Sequence, residues 1–153
     1  MNAWLLLSLV TILYAGYNLF AKVSGGHVSG IATTTVLATI TVQLVALATS
    51  TIFSVFLLLR GGQVFSLPSA SYGWAALAGL CIGGAEIGYF YLFSGIGSRQ
   101  AMEANVVIPV VVCGTVFIAV LASFLFFREH LGSYQLLGAG LLSAGIICMF
   151  AGR

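Results

Sequence analysis

Five apolar stretches take up nearly the whole chain: about Asn2–Ala21, Gly30–Leu59, Tyr72–Gly97, Glu103–Phe127 and Ser133–Ala151. Glu103 opens the fourth, and only Glu86 puts a charge inside one of them. Each is close to or above the roughly 20 residues that carry a helix across a hydrocarbon core of ~30 Å. Open strands would leave backbone groups unpaired in lipid, and a closed barrel needs many alternating segments of about ten residues. The pattern therefore predicts an all-α integral membrane protein with five transmembrane helices in a single domain. Of 153 residues, 61% are hydrophobic and 5% charged, too little charge to keep a soluble domain dispersed. The first stretch has no basic flank before it and no clear small-x-small site after it, so it reads as a retained helix.

The joints KVSGGHVSG, RGGQVFSLPSAS, SRQAME and REHLGS mix glycine or serine with one Lys or Arg each. Short loops make the last three helices antiparallel neighbours. The second stretch, at about 30 residues, would run to roughly 45 Å, so it tilts or leaves IATTT in the interface. Pro109 lies inside the fourth stretch, where it removes a backbone hydrogen bond and predicts a kink.

Five Lys and Arg bring the net charge to +2. They form no basic run, which removes nucleic acid as a partner. If Met1 marks one face, Arg60 and Arg128 share it, while Lys22, Arg99 and Arg153 lie on the other. So small a bias orients the chain weakly. Two readings stand: a single orientation with the second face cytoplasmic, or insertion both ways and pairing with an inverted copy. The second gives a ten-helix antiparallel homodimer.

Glu86 sits near the middle of GLCIGGAEIGYFYLF. A charged carboxylate at a helix centre costs about 2.5–3.5 kcal/mol on insertion scales, and a neutral one less. Such a group is poised to exchange a proton, or to hold a cation when ionised. The structural alternative is a protonated Glu bridging two helices. Gly79, Gly83, Glu86 and Tyr89/Phe90 share a face, and Gly79/Gly83 and Gly84/Gly88 form GxxxG pairs whose ordinary meaning is close helix packing.

Thr35, Thr39, Gln43, Ala46, Ser50 and Ser54 make a polar or small stripe down the second helix. Ser and Thr hydroxyls can bond the carbonyl one turn back, so packing and pathway lining remain equal readings. Gln43 cannot satisfy itself that way and is expected to face the bundle interior or a wet cavity. Tyr14, Tyr17 and Asn18 follow helical spacing in the first helix. Their rings suit an organic cation or an interfacial belt. Trp4, Trp74 and Tyr134 are better belt candidates. Cys81, Cys113 and Cys148 read as small packing residues. His27 and His130, placed in loops, have no companions spaced for a metal, and no cofactor is expected. No GxSxG, P-loop or HExxH occurs, so an enzyme is not expected.

Residues 89–150, YFYLFSGIGSRQAMEANVVIPVVVCGTVFIAVLASFLFFREHLGSYQLLGAGLLSAGIICMF, carry an ordered set of motifs. An aromatic-rich helix end leads to a short turn and a helix with Pro109. Glu129 follows that helix, then Leu131, Gln135, Leu136, Gly138, Leu141, Ala144 and Gly145 in an LxxxQLxGxxLxxAG pattern. This resembles the second part of an EamA-type half in the drug/metabolite transporter superfamily, and LLLSLVTILYAGYNLFAKVSG resembles that family's first helix. The likeness is weak over residues 28–75. It implies one five-helix repeat of a fold whose long members carry two, and a four-helix relative, the small multidrug resistance protein, that works as an antiparallel dimer. That relative's carboxylate lies on the first helix, and Glu86 matches no family position. Glu129 matches a family Glu with a structural role at the next helix start.

The expectation is a multi-pass transporter of the cell (inner) membrane, a homodimer moving a small or amphipathic molecule by alternating access. Glu86 would couple protons or bind substrate, with Gln43, Thr39, Tyr14, Asn18 and Tyr89 lining the cavity. A flippase for a lipid-linked substrate and a non-transporting scaffold subunit are the alternatives.

Overall fold

The computed structural model describes residues 3–28, 30–62, 64–96, 100–126, 128, 130 and 132–151, without the side chains of 150 and 151. All secondary structure among them is α-helical: α1 (Ala3–His27), α2 (Ala32–Arg60), α3 (Ser69–Ser94), α4 (Ala104–Leu125) and α5 (Ser133–Ala151). α1 to α4 are long and apolar enough to cross a membrane. The fifth expected span is the short one, with an apolar stretch of Ser133–Met149. The helices fall into two compact units, residues 1–101 and 102–153. In the first, α3 packs against both α1 and α2; in the second, α4 packs against α5.

α1 runs six residues past the expected end at Ala21, through KVSGGH. Those residues read as a linker because they hold Lys, Ser and two glycines. Packing overrides that propensity. A Cβ on Gly25 would lie 2.7 Å from the Cβ of Phe93, so only glycine lets α1 lie this close to α3. Lys22 and His27 are consequently on a helix and not in a loop. The Lys22 ammonium lies 5.1 Å from the centre of the Phe93 ring. A ring nitrogen of His27 meets the Val23 carbonyl at 2.8 Å.

α2 is one unbroken helix whose Thr34 and Thr35 hydroxyls both bond the Ile31 carbonyl at its start. α3 starts three residues before the expected Tyr72, directly after Pro68, whose carbonyl accepts the Ser71 N–H at 2.9 Å. It stops at Gly95, in the left-handed region with φ 75°, where the N–H closes on the Tyr91 carbonyl. A side chain there would also strike the backbone nitrogen of Ala101 at 2.8 Å. α4 runs through Pro109 to Leu125. The carbonyl that loses its partner to that ring belongs to Asn105, in the first turn, where the loss disturbs the least helix.

The outward surface is apolar. Trp4, Trp74 and Tyr134 are among the most exposed residues and sit near helix starts. Cys81 and Cys148 are exposed as well, so they do not pack between helices as expected. Leu, Ile, Val and Phe side chains stand exposed along α1 to α5, a surface that requires hydrocarbon or another apolar body around it. The chain is a helical membrane protein.

Candidate functional site

Glu86 and Tyr89 of α3 lie beside polar side chains of α1 and α2. The buried positions of α3 are Glu86, Tyr89, Phe90 and Phe93, spaced three, one and three residues apart so that they share one face. Glu86 is only 9% exposed, and its Oε2 has no hydrogen-bond partner among the described residues. From α2, the Gln43 side chain lies within electrostatic reach of the Glu86 carboxyl group. The amide nitrogen would lie 3.3 Å from a Cβ on Gly83, one turn before Glu86. From α1, Tyr17 lies within electrostatic reach of Glu86, with Tyr14 and Tyr89 near it.

One turn beyond, the Tyr89 hydroxyl donates to Asn18 Oδ1 at 3.1 Å. Its ring stacks along Tyr17, with centroids 6.4 Å apart, and meets Phe93 edge-on at 4.7 Å. A carboxyl group, three phenol rings, two amides and a buried phenylalanine thus share one side of the α1–α3 unit. Such a group can hold a proton or a small cation at the carboxyl end and an apolar or flat group against the rings.

The candidates from sequence are placed as follows. Gln43 comes within electrostatic reach of Glu86, and Tyr89 meets Asn18, across helices. Tyr14 stands at the edge and is exposed. Gln43 is also exposed as a residue, at the rim of the unit, although its amide lies against α3 at Gly83. Thr39 is buried, and its hydroxyl donates to the Thr35 carbonyl at 3.3 Å, so its polarity is satisfied within α2. Ser50 and Ser54 likewise donate to the carbonyls of Ala46 and Ser50. Pro109 belongs to the other unit. Glu129 lies outside the described residues. Gly83 alone of the four GxxxG glycines meets a neighbouring helix. A Cβ on Gly79, Gly84 or Gly88 would meet nothing within 4 Å. Among the described residues no three His, Cys or acidic side chains group as metal ligands.

Sequence reasoning left Phe93 and Lys22 out of the site. Phe93 was within reach, because it lies one more turn along the face of Glu86 and Tyr89. Lys22 was not, since its segment reads as a loop. The Tyr89–Asn18 bond gives a small prediction. Tyr89→Phe should cost about 0.6 kcal/mol, the size of one interhelical hydrogen bond in a membrane. Unfolding in mixed micelles measures it, and a loss above ~2 kcal/mol would mean the hydroxyl holds more than Asn18.

Comparison with known proteins gives no match: no family model, no curated protein and no solved structure.

Proposed function

We propose that this chain is a small-molecule transporter of the drug/metabolite type, working by alternating access, with Glu86 as its proton- or cation-binding group. One observation carries the reading. A carboxyl group lies buried within a membrane-length helix, about two turns before its C-terminal end, with one oxygen unpartnered among the described residues. A purely structural Glu would gain by satisfying both oxygens, because a buried polar atom without a partner costs about 1–3 kcal/mol. A carboxyl group that must bind and release a proton or cargo keeps one oxygen available. The aromatic side chains beside it suit cargo with an apolar or flat cationic part.

The resemblance of the motifs around Pro109 and Gln135 to an EamA-type repeat supports the same reading, and so does the near-even distribution of Lys and Arg. On this proposal the chain is a single five-helix repeat, and two copies in opposite orientations form the carrier in the inner membrane. Reporter fusions at Arg153 test that arrangement. Both orientations should appear in comparable amounts, and a strictly one-sided result removes the inverted dimer.

Transport itself is tested in vesicles loaded with a pH-sensitive dye and challenged in turn with ethidium, a polyamine and a neutral sugar. At least one should drive a proton flux that protein-free vesicles lack. No flux with any solute class, from protein shown to be folded and inserted, would favour the scaffold.

A further inference from the structure

We propose that Glu86 is reached through a cleft between the first half of α1 and the α2–α3 pair, and that Tyr89, Phe90 and Phe93 are the closed gate on its far side. The inference rests on the reading of Glu86 as the proton- or cation-binding group and adds the side from which that group is served. Burial in this unit is one-sided. α1 buries Ala21 and Gly25, near its end. α2 buries Thr35 and Thr39, near its start. α3 buries Glu86, Tyr89, Phe90 and Phe93, near its end. Contacts between the helices show that these three ends lie together. Asn18 bonds Tyr89 and Gly25 lies against Phe93, so α1 runs parallel to α3. The Gln43 amide lies against Gly83, and Gly30, just before α2, faces the Ser94 carbonyl, so α2 runs antiparallel to α3.

Toward the opposite end, α1 parts from its neighbours. Ser54 and Leu57 of α2 and Ser71 of α3 stay half-buried there, whereas residues 3–15 of α1 are all exposed. Helical spacing puts Thr11 and Tyr14 on the Asn18 side of α1, and Gly79 and Gly83 on the Glu86 side of α3, so both pairs border the gap. They bring hydroxyl groups or no side chain, and a Cβ on Gly79 would meet nothing within 4 Å. Glu86 stands where the three helices close, 9% exposed, with Oε2 unpartnered among the described residues. Beyond it Phe90 and Phe93 are fully buried and Tyr89 nearly so. Asn18 holds the Tyr89 hydroxyl at 3.1 Å, and the Lys22 ammonium lies 5.1 Å from the centre of the Phe93 ring. From Glu86 to Ser94 is roughly 12 Å of helix, and packing of interior density leaves few voids large enough for water. Alternating access requires one end state of this kind, open on one side of the binding group and shut on the other.

Thiol labelling of the full chain in lipid nanodiscs tests this, with Cys81, Cys113 and Cys148 replaced by Ala. Nanodiscs leave both faces open to a water-soluble maleimide, so the orientation of the chain does not matter. Leu13 and Leu77 are exposed on the opposite sides of α1 and α3 and serve as lipid-facing controls. A thiol reacts as its thiolate, which hydrocarbon suppresses, so Thr11→Cys and Gly79→Cys should react at least about tenfold faster than Leu13→Cys and Leu77→Cys. Thr35→Cys, beyond the gate, should react as slowly as the two controls. Adding Phe90→Ala should raise the rate of Thr35→Cys toward that of Thr11→Cys. The proposal is overturned if Thr11→Cys and Gly79→Cys react no faster than the controls, if Thr35→Cys matches them in the intact gate, or if Phe90→Ala leaves Thr35→Cys unchanged. A cleft filled by a second copy would give the first of these results. Should Phe90→Ala not fold, the first two comparisons decide alone. The expected labelling in a protein whose flux ignores Glu86→Gln would uphold the cleft and reject the transport reading.

Discussion

Replacing Glu86 with Gln should lower proton-linked flux at least about tenfold while the protein still folds, inserts and assembles. Gln has the size and polarity of a protonated Glu. It can still sit beside the Gln43 side chain, which lies against α3 at Gly83, so the α2–α3 contact survives. What it lacks is the ability to gain and lose a proton or to carry charge. The change therefore reaches the chemistry without threatening the fold. Flux should be measured in sealed vesicles with matched protein content, beside a thermal unfolding curve for each variant. An unchanged flux with an unchanged unfolding curve would leave Glu86 as a packing residue. Loss of a bound partner protein, with no flux in either form, would point to the scaffold.

The largest effect on stability is expected at the crossing of α1 and α3. A Cβ on Gly25 would stand 2.7 Å from the Phe93 Cβ and 3.7 Å from its backbone carbonyl carbon. Neither atom can rotate away, because both belong to the α3 backbone or its first side-chain carbon. The helices must separate, and Phe93, fully buried, loses contacts on that side. In lipid, helix association depends on van der Waals packing, since hydrocarbon solvates apolar side chains outside the contact too. Gly25→Ala should cost about 1–3 kcal/mol, the range for overpacking, and Gly25→Leu more. Gly26→Ala is the internal control. Its Cβ would meet nothing within 4 Å, and alanine favours a helix over glycine by up to about 1 kcal/mol. Gly26→Ala should be neutral or stabilising. Equal effects at the two neighbouring glycines would mean that α1 does not lie against Phe93. Because Lys22 and Asn18 share this contact with α3, Gly25→Leu should also depress flux.

The sequence showed the helices clearly, because Lys and Arg fall at the expected joints while the stretches between them are mostly apolar. It misplaced the end of α1, where Gly25 and Gly26 read as breakers but Gly25 serves a close approach to Phe93. Glu86 stood out because one carboxylate in such surroundings demands a reason. Tyr89 and Asn18 were found by helical spacing, and their hydrogen bond joins two residues 71 apart in the chain. Spacing within one helix could suggest each residue but not that they meet. Nor could it separate Gly83 from Gly79, Gly84 and Gly88, since all four belong to the same kind of motif and only the packing of α2 distinguishes them. Thr39 marks the converse limit. Its place in the polar stripe left packing and lining as equal readings, and its hydroxyl bonds its own helix.

The central claim is that Glu86 exchanges a proton from inside the membrane. Its carboxyl infrared band, followed in a bilayer from roughly pH 4 to 9, a range bracketing the ordinary carboxylate and histidine values, tests that most directly. The expected result is a band that converts reversibly between the protonated and ionised forms and shifts when water is replaced by heavy water. A band that stays protonated throughout and ignores heavy water would contradict it.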